Sequence, residues 1–326
     1  MIYKDIEFHN VSSLLFDESN KAYSLLRLPI ECETNMLEQG RNMNRSSVGV
    51  ELRFALIDEE IEITLKGKNE AGMCFVYFGD VQAEWFQSSF VIKSNEDTTI
   101  KIKKTNLDVD LMNKEKGSIY PSNMVRIIFN GTMVQFVDIK GKVKPVEFDR
   151  KTMLFYGSSI TANSITFTPK ISYPSLVCAD LGVDLRNVGF PGSCRMEKEV
   201  VDEISSLDFD LAFIELGINV INDIDVNEYT ERCSYLLKEI TKKKIKIFIT
   251  DIYSCYNEKC GISDDKLFSF RESLKTLCLV YSNVIYIPGN KLLPTRTHLC
   301  ADLVHPDIDG HRIIYSNLIK EIRKHV

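Results

Sequence analysis

Ser158 and Ser159 directly follow the run Met153-Leu-Phe-Tyr156 and Gly157. A short apolar run broken by glycine is the pattern of a buried parallel strand, and an open α/β sheet places its ligand site at the carboxyl end of such a strand. A serine just past that end can act as a nucleophile, and Ser159 is that candidate. The pair can equally do no more than cap a helix, since serine is a preferred N-cap. A serine nucleophile needs a base to take its proton. The chain has five histidines. His9 and His325 lie near the ends, and His311 falls inside the last helical pattern. His298 and His305 share a loop. Asp302 stands three residues before His305, and Pro306 follows it. A carboxylate within one turn can accept the second imidazole N–H and fix the tautomer. That favours His305 as the base, with His298 as its rival. A capped loop ahead of a helix is the bland alternative for Asp302 and His305.

The elements that must position these groups fall into two regimes. Before residue 150 the pattern has a period of two. Val50, Leu52, Phe54 and Leu56 alternate with Glu51, Arg53 and Ala55; Ile61, Ile63 and Leu65 with Glu62, Thr64 and Lys66; Ile100 and Ile102 with Lys101 and Lys103. One face buried and one wet is the expectation. Asn130-Gly131, between two strand-like runs over 125–137, reads as a hairpin turn. Residues 1–45 read as short strands and loops, and no stretch before 150 has helical periodicity. After 150, strand patterns at 152–156, 183–188, 210–216, 245–251 and 283–287 alternate with helical ones near 171–181, 196–206, 227–243, 264–281 and 309–324. Such alternation predicts a parallel sheet with helices on both faces. The expected domains are an antiparallel β-sandwich or jelly roll over 1–145 and an α/β domain over 146–326, with the polar stretch Lys140 to Asp149 as linker.

Three further stretches bear on Ser159: Asn187-Val-Gly-Phe-Pro-Gly192, Glu215-Leu-Gly-Ile-Asn219 and Asp302-Leu-Val-His305-Pro306. Together with Gly157-Ser-Ser159-Ile-Thr161 they stand in the order and context of the four sequence blocks of the SGNH (GDSL-type) hydrolases. Over residues 151–326 the chain resembles that family. The resemblance implies a flavodoxin-like strand order, a serine esterase chemistry without metal or organic cofactor, and a catalytic set of Ser159, Asp302 and His305. It also implies three oxyanion donors: the backbone N–H groups of Ser159 and Gly192 and the side-chain amide of Asn219. Taken locally, Gly192 is a turn glycine after Pro191, and Asn219 a capping residue after a strand. Two positions depart from the family, which often has Asp where this chain has Ser158 and Val220; neither belongs to the acid–base machinery. The Gly-Ser-Ser-Ile-Thr form is similar to two-domain members with an N-terminal β-sandwich, several of which resemble carbohydrate acetyl esterases.

Composition narrows the partners. The 326 residues are 44% hydrophobic with a net charge of −6, and no basic stripe carries interleaved aromatics. Nucleic acid is therefore not expected as a partner, nor is a membrane; the partner the resemblance implies is a small-molecule or carbohydrate ester. The lysines at 242–244 read as a helix end. No apolar signal core opens the chain, and no run is long enough to span a bilayer. The nine cysteines are odd in number and scattered, Cys255 and Cys260 being the closest pair, without zinc spacing. Reduced thiols and a cytoplasmic location are the expectation. Arg195 reads as a solvated arginine at a helix start, with a substrate anion or sugar hydroxyl as the alternative partner. Trp85, the only tryptophan, reads as core rather than as a sugar platform. The expected activity is removal of a short acyl group, acetyl first, through an acyl-enzyme. The alternatives are acyl transfer at the same site and a non-catalytic carbohydrate-binding protein on a hydrolase scaffold.

Overall fold

The computed structural model describes residues 1–105, 108–148, 150–163 and 168–326. The chain divides into two compact units, one of residues 1–30, 44–150 and 182–184, the other of 31–43, 151–181 and 185–326.

The first unit is built from two antiparallel sheets. One contains the strands Glu51–Leu56, Gly72–Phe78 and Met124–Phe129; the other contains Glu60–Gly67, Thr98–Lys103 and Val134–Lys140. Their inward residues, among them Leu52, Phe54, Ile61, Ile63, Ile100, Ile102, Ile127 and Phe136, form one apolar core. Period-two alternation therefore holds in Glu60–Gly67 and Thr98–Lys103, whose other face is half-buried or exposed.

It fails in Glu51–Leu56, where the expected wet face is buried too. Arg53 is 0% exposed and Glu51 7%. Charge pairing makes this tolerable. The Arg53 guanidinium grips Asp184 through two bonds of 2.8 Å and donates to Glu51 at 2.8 Å. Arg126 donates to the same Glu51 at 2.7 and 2.8 Å, and Tyr120 to Asp184 at 2.7 Å. Burial alone would raise these acids, but Arg126 and Arg53 hold Glu51, and Arg53 and His9 hold Asp184, well below the usual carboxylate range. Glu7 is likewise raised by burial but brought down to about 2 by His9 and Arg53. A carboxyl with a depressed folded pKa contributes stability above its unfolded value and loses it as pH falls through the folded one. Thermal midpoints should therefore stay level from neutral pH to about pH 5 and fall steeply from about pH 4 towards 2. Level midpoints across that acid range would contradict this account of the cluster.

Other expectations are corrected as well. Strands Met124–Phe129 and Val134–Lys140 flank Asn130-Gly131 but do not pair; they lie in different sheets. Gly131 supplies a positive φ of 94°, and Asn130 turns its side chain to accept from Met73 N at 3.1 Å, so the connection crosses between sheets instead of folding back. Short helices occur before 150, at Glu38–Asn44 and Val109–Glu115, each too brief to show a period. Within the expected linker, Val143–Lys144 pairs with Leu56 and Ala55 as sheet; Asp149 lies outside the described residues. Trp85 is 89% exposed and packs edge-on to Phe86 at 5.9 Å, so it is not core.

The second unit holds, apart from Asp184, a five-stranded sheet of β1 (Thr152–Gly157), β2 (Asp184–Gly189), β3 (Leu211–Glu215), β4 (Lys246–Thr250) and β5 (Val284–Ile287). Their order is β2-β1-β3-β4-β5, the flavodoxin-like arrangement. The registered pairs of β1 with β3, β3 with β4 and β4 with β5 are parallel. Met153, Leu154, Phe155 and Tyr156 are fully buried, as a strand covered on both faces requires. Helices α1 (Tyr173–Leu181), α2 (Lys198–Ser206), α3 (Val226–Ile240), α4 (Asp264–Cys278) and α5 (Ile308–Ile322) complete the alternation. Asp225 and Asp307 cap α3 and α5 through bonds to backbone N–H groups. All nine cysteines are unbridged, and among the described residues no helix is long and apolar enough to cross a membrane.

Candidate active site

The site assembles at the carboxyl ends of β1, β2 and β3 and in the loop before α5. β1 ends at Gly157, and the chain turns at once into a short helix, Ser159–Ala162. The two serines are placed differently. Ser158 is the N-cap, its Oγ accepting from Ile160 N at 3.2 Å, while Ser159 is the first helical residue, half-buried with its hydroxyl directed elsewhere.

Ser159 Oγ lies 2.7 Å from His305 Nε2. His305 Nδ1 lies 2.8 Å from Asp302 Oδ2. The other Asp302 oxygen accepts the backbone N–H groups of Val304 and His305, both at 2.9 Å. That turn fixes the carboxylate before the imidazole meets it. Partial burial pushes the Asp302 carboxyl up, but the His305 and Val304 N–H groups and the imidazole hold it below its ordinary value. An ionised Asp302 keeps the proton on Nδ1 and leaves Nε2 able to accept from Ser159.

The other candidate histidines have different neighbours. His298 Nδ1 lies 3.8 Å from Asp307, the cap of α5. His311 is buried, stacks on Tyr173 at 5.9 Å and has its pKa pushed down to about 4 by that burial.

The loops after β1, β2 and β3 are tied together. Phe190 N donates to Gly157 O at 2.7 Å, joining the first two. Cys194 N donates to Asn219 Oδ1 at 3.1 Å, joining the second and third. With its oxygen taken, the Asn219 amide turns its NH2 edge away from Cys194 as a donor. Gly192 has a φ of +64°, and a Cβ there would come 2.2 Å from Gln39 Nε2. Gln39, on the segment 31–43, rests on this loop and donates to Pro191 O at 3.4 Å. Arg195 is not a solvated side chain: it is 14% exposed, ion-paired with Asp223, and donates to Asn219 O at 3.2 Å.

Sequence reasoning assigned no role to Glu215 or Gln39. A carboxylate ending the apolar run Leu211-Ala-Phe-Ile was the available signal for Glu215. Gln39 left none, because its place on the Pro191–Gly192 turn depends on a distant segment joining the second unit.

The sequence profile described as the GDSL-like Lipase/Acylhydrolase family matches residues 150–308. No protein of curated function matches the chain. Among solved structures, the salicylyl-acyltransferase SsfX3 from a tetracycline biosynthetic pathway is similar over 98% of this chain and 94% of its own, at 15% identity and a TM-score of 0.80. A family two carbohydrate esterase from Clostridium thermocellum, in complex with cellohexaose, is similar over 98% of both chains, at 13% identity and a TM-score of 0.61. Likeness at these identities is one of fold: an α/β domain preceded by antiparallel β-sheets.

Proposed function

We propose, from the match of residues 150–308 to the GDSL-like lipase/acylhydrolase family, that the protein is a serine esterase removing a short acyl group, acetyl first, from a carbohydrate or similar small alcohol. The observation that carries the proposal is the continuous chain Ser159 Oγ–His305 Nε2 and His305 Nδ1–Asp302, at 2.7 and 2.8 Å.

Ser159 Oγ attacks the ester carbonyl while His305 Nε2 takes its proton. The imidazolium, stabilised and oriented by Asp302, returns that proton to the leaving alcohol oxygen as the C–O bond breaks. Water, activated by the same imidazole, then opens the acyl-enzyme and restores the serine. The developing oxyanion is met by the N–H groups of Ser159 and Gly192 and the Asn219 amide. In this reading residues 146–326 carry the chemistry and residues 1–145 make the β-sandwich domain.

The acyl group is short because the segments around the site are short. The loop from Phe190 to Glu197 and the residues between Leu292 and Ile308 contain no long apolar lid among the described residues. Rates on p-nitrophenyl esters should be highest for acetyl and propionyl and fall for octanoyl. A rate maximum at octanoyl or longer would refute this assignment.

Acyl transfer is the second reading; one protein similar in fold, at a TM-score of 0.80, is a salicylyl-acyltransferase. An alcohol would then open the acyl-enzyme in place of water. Product analysis with added sugars and simple alcohols separates the two, because transfer yields a new ester at the expense of free acid.

A further inference from the structure

Glu215 ends β3 immediately beside the turn that carries Ser159, and its side chain is fully buried. Its Oε2 accepts three hydrogen bonds: from Ser158 N at 2.7 Å, Ser158 Oγ at 2.7 Å and Thr161 Oγ1 at 3.0 Å. All three donors come from residues 158–161, on either side of Ser159. Oε1 is buried without a hydrogen-bond partner among the described residues. The carboxyl is thus anchored by the nucleophile turn alone, and the turn is wound around one oxygen atom. The fit leaves no slack: a Cβ at Gly157 would lie 2.7 Å from Glu215 Oε2 and 2.3 Å from Thr161 Oγ1. Thr161 is braced in turn by Tyr173 OH at 2.6 Å.

A buried carboxyl is expensive to desolvate, and a turn with a serine cap closes without one. What the carboxyl adds is a fixed centre for the donors that bracket Ser159. We propose that Glu215 is a positioning residue for the nucleophile, setting the Ser159 Oγ and N–H through Ser158 and Thr161 without touching substrate. The inference rests on Ser159 being the nucleophile. Its consequence is a loss in the chemical step rather than in substrate binding, because a displaced Oγ no longer meets both the imidazole and the carbonyl carbon.

The test measures the rate of fluorophosphonate labelling, kcat and KM for p-nitrophenyl acetate, and thermal midpoints on the full chain. Glu215→Gln keeps a carbonyl oxygen for the same donors and should label within about threefold of wild type, whereas Glu215→Leu should label about a hundredfold more slowly, with the loss in kcat and not KM. A merely structural residue would lower the midpoint of Glu215→Leu while leaving labelling of the folded fraction unchanged, and that result overturns the proposal. If Glu215→Leu does not fold, the double variant Ser158→Ala with Thr161→Val removes the two hydroxyl donors from the other side. It should lose about tenfold in labelling, and a wild-type rate there overturns the proposal. A wild type that does not label at all would overturn the nucleophile assignment together with this inference; a labelled wild type with an unaffected Glu215→Leu overturns this inference alone.

Discussion

Replacing Ser159 or His305 by alanine is expected to lower turnover of p-nitrophenyl acetate by about five to six orders of magnitude, and replacing both to cost little more than either. Nucleophile and base act as one unit. With the imidazole gone the hydroxyl keeps its proton, and with the hydroxyl gone the imidazole has nothing to activate. The 2.7 Å contact between Oγ and Nε2 is the physical basis of that coupling. His298→Ala is the internal control, because that ring faces Asp307 and should leave turnover near wild type. Asp302→Asn belongs to the same series. An amide would still accept from the Val304 and His305 backbone, so the turn would persist, but it could present its NH2 to Nδ1 and favour the wrong tautomer. Retained activity in His305→Ala with loss in His298→Ala would overturn the base assignment, and circular dichroism separates either outcome from misfolding.

Asn219→Ala is expected to cost about a hundred- to a thousandfold in kcat with little change in KM. The amide is placed before substrate arrives, since its oxygen is held by Cys194 N at 3.1 Å. A donor oriented in advance stabilises charge that appears only in the transition state, so its removal falls on turnover. Asn219→Asp tests the same point from the other side. It keeps the acceptor for Cys194 but replaces the NH2 edge with a negative charge aimed at a developing oxyanion, and should be at least as damaging. A loss confined to KM would move Asn219 from the oxyanion site to substrate binding.

The elements that position this site were legible wherever one physical signal dominated. All five strands of this sheet appear in the sequence to within two residues at each end, and β1, β3 and β4 are the plainest, because burial on both faces leaves continuous apolar runs such as Met153 to Tyr156. The long helices were legible from their spacing between the strand patterns. Legibility ended where a partner distant in sequence changes the meaning of a residue. Glu51 and Arg53 look solvent-facing because alternation cannot show that Arg126 and Asp184 neutralise them. Asn130-Gly131 has the chemistry of a tight hairpin, yet its flanking strands belong to different sheets. In the candidate site, Ser159, His305 and Asp302 stand out by residue type, whereas Glu215 matters through three bonds to a turn 54 to 57 residues away. Trp85 followed the general tendency of tryptophan to be buried, and a loop carries it outward instead.

The central claim is that Ser159 is the nucleophile, and peptide mapping after fluorophosphonate labelling tests it most directly. Wild-type protein treated with the probe and digested should carry a single phosphonyl adduct on Ser159, within the peptide that spans Met153 to Lys170. Ser159→Ala should carry none. An adduct on Ser158 or on any residue outside the turn, or equal labelling of wild type and Ser159→Ala, would contradict the account.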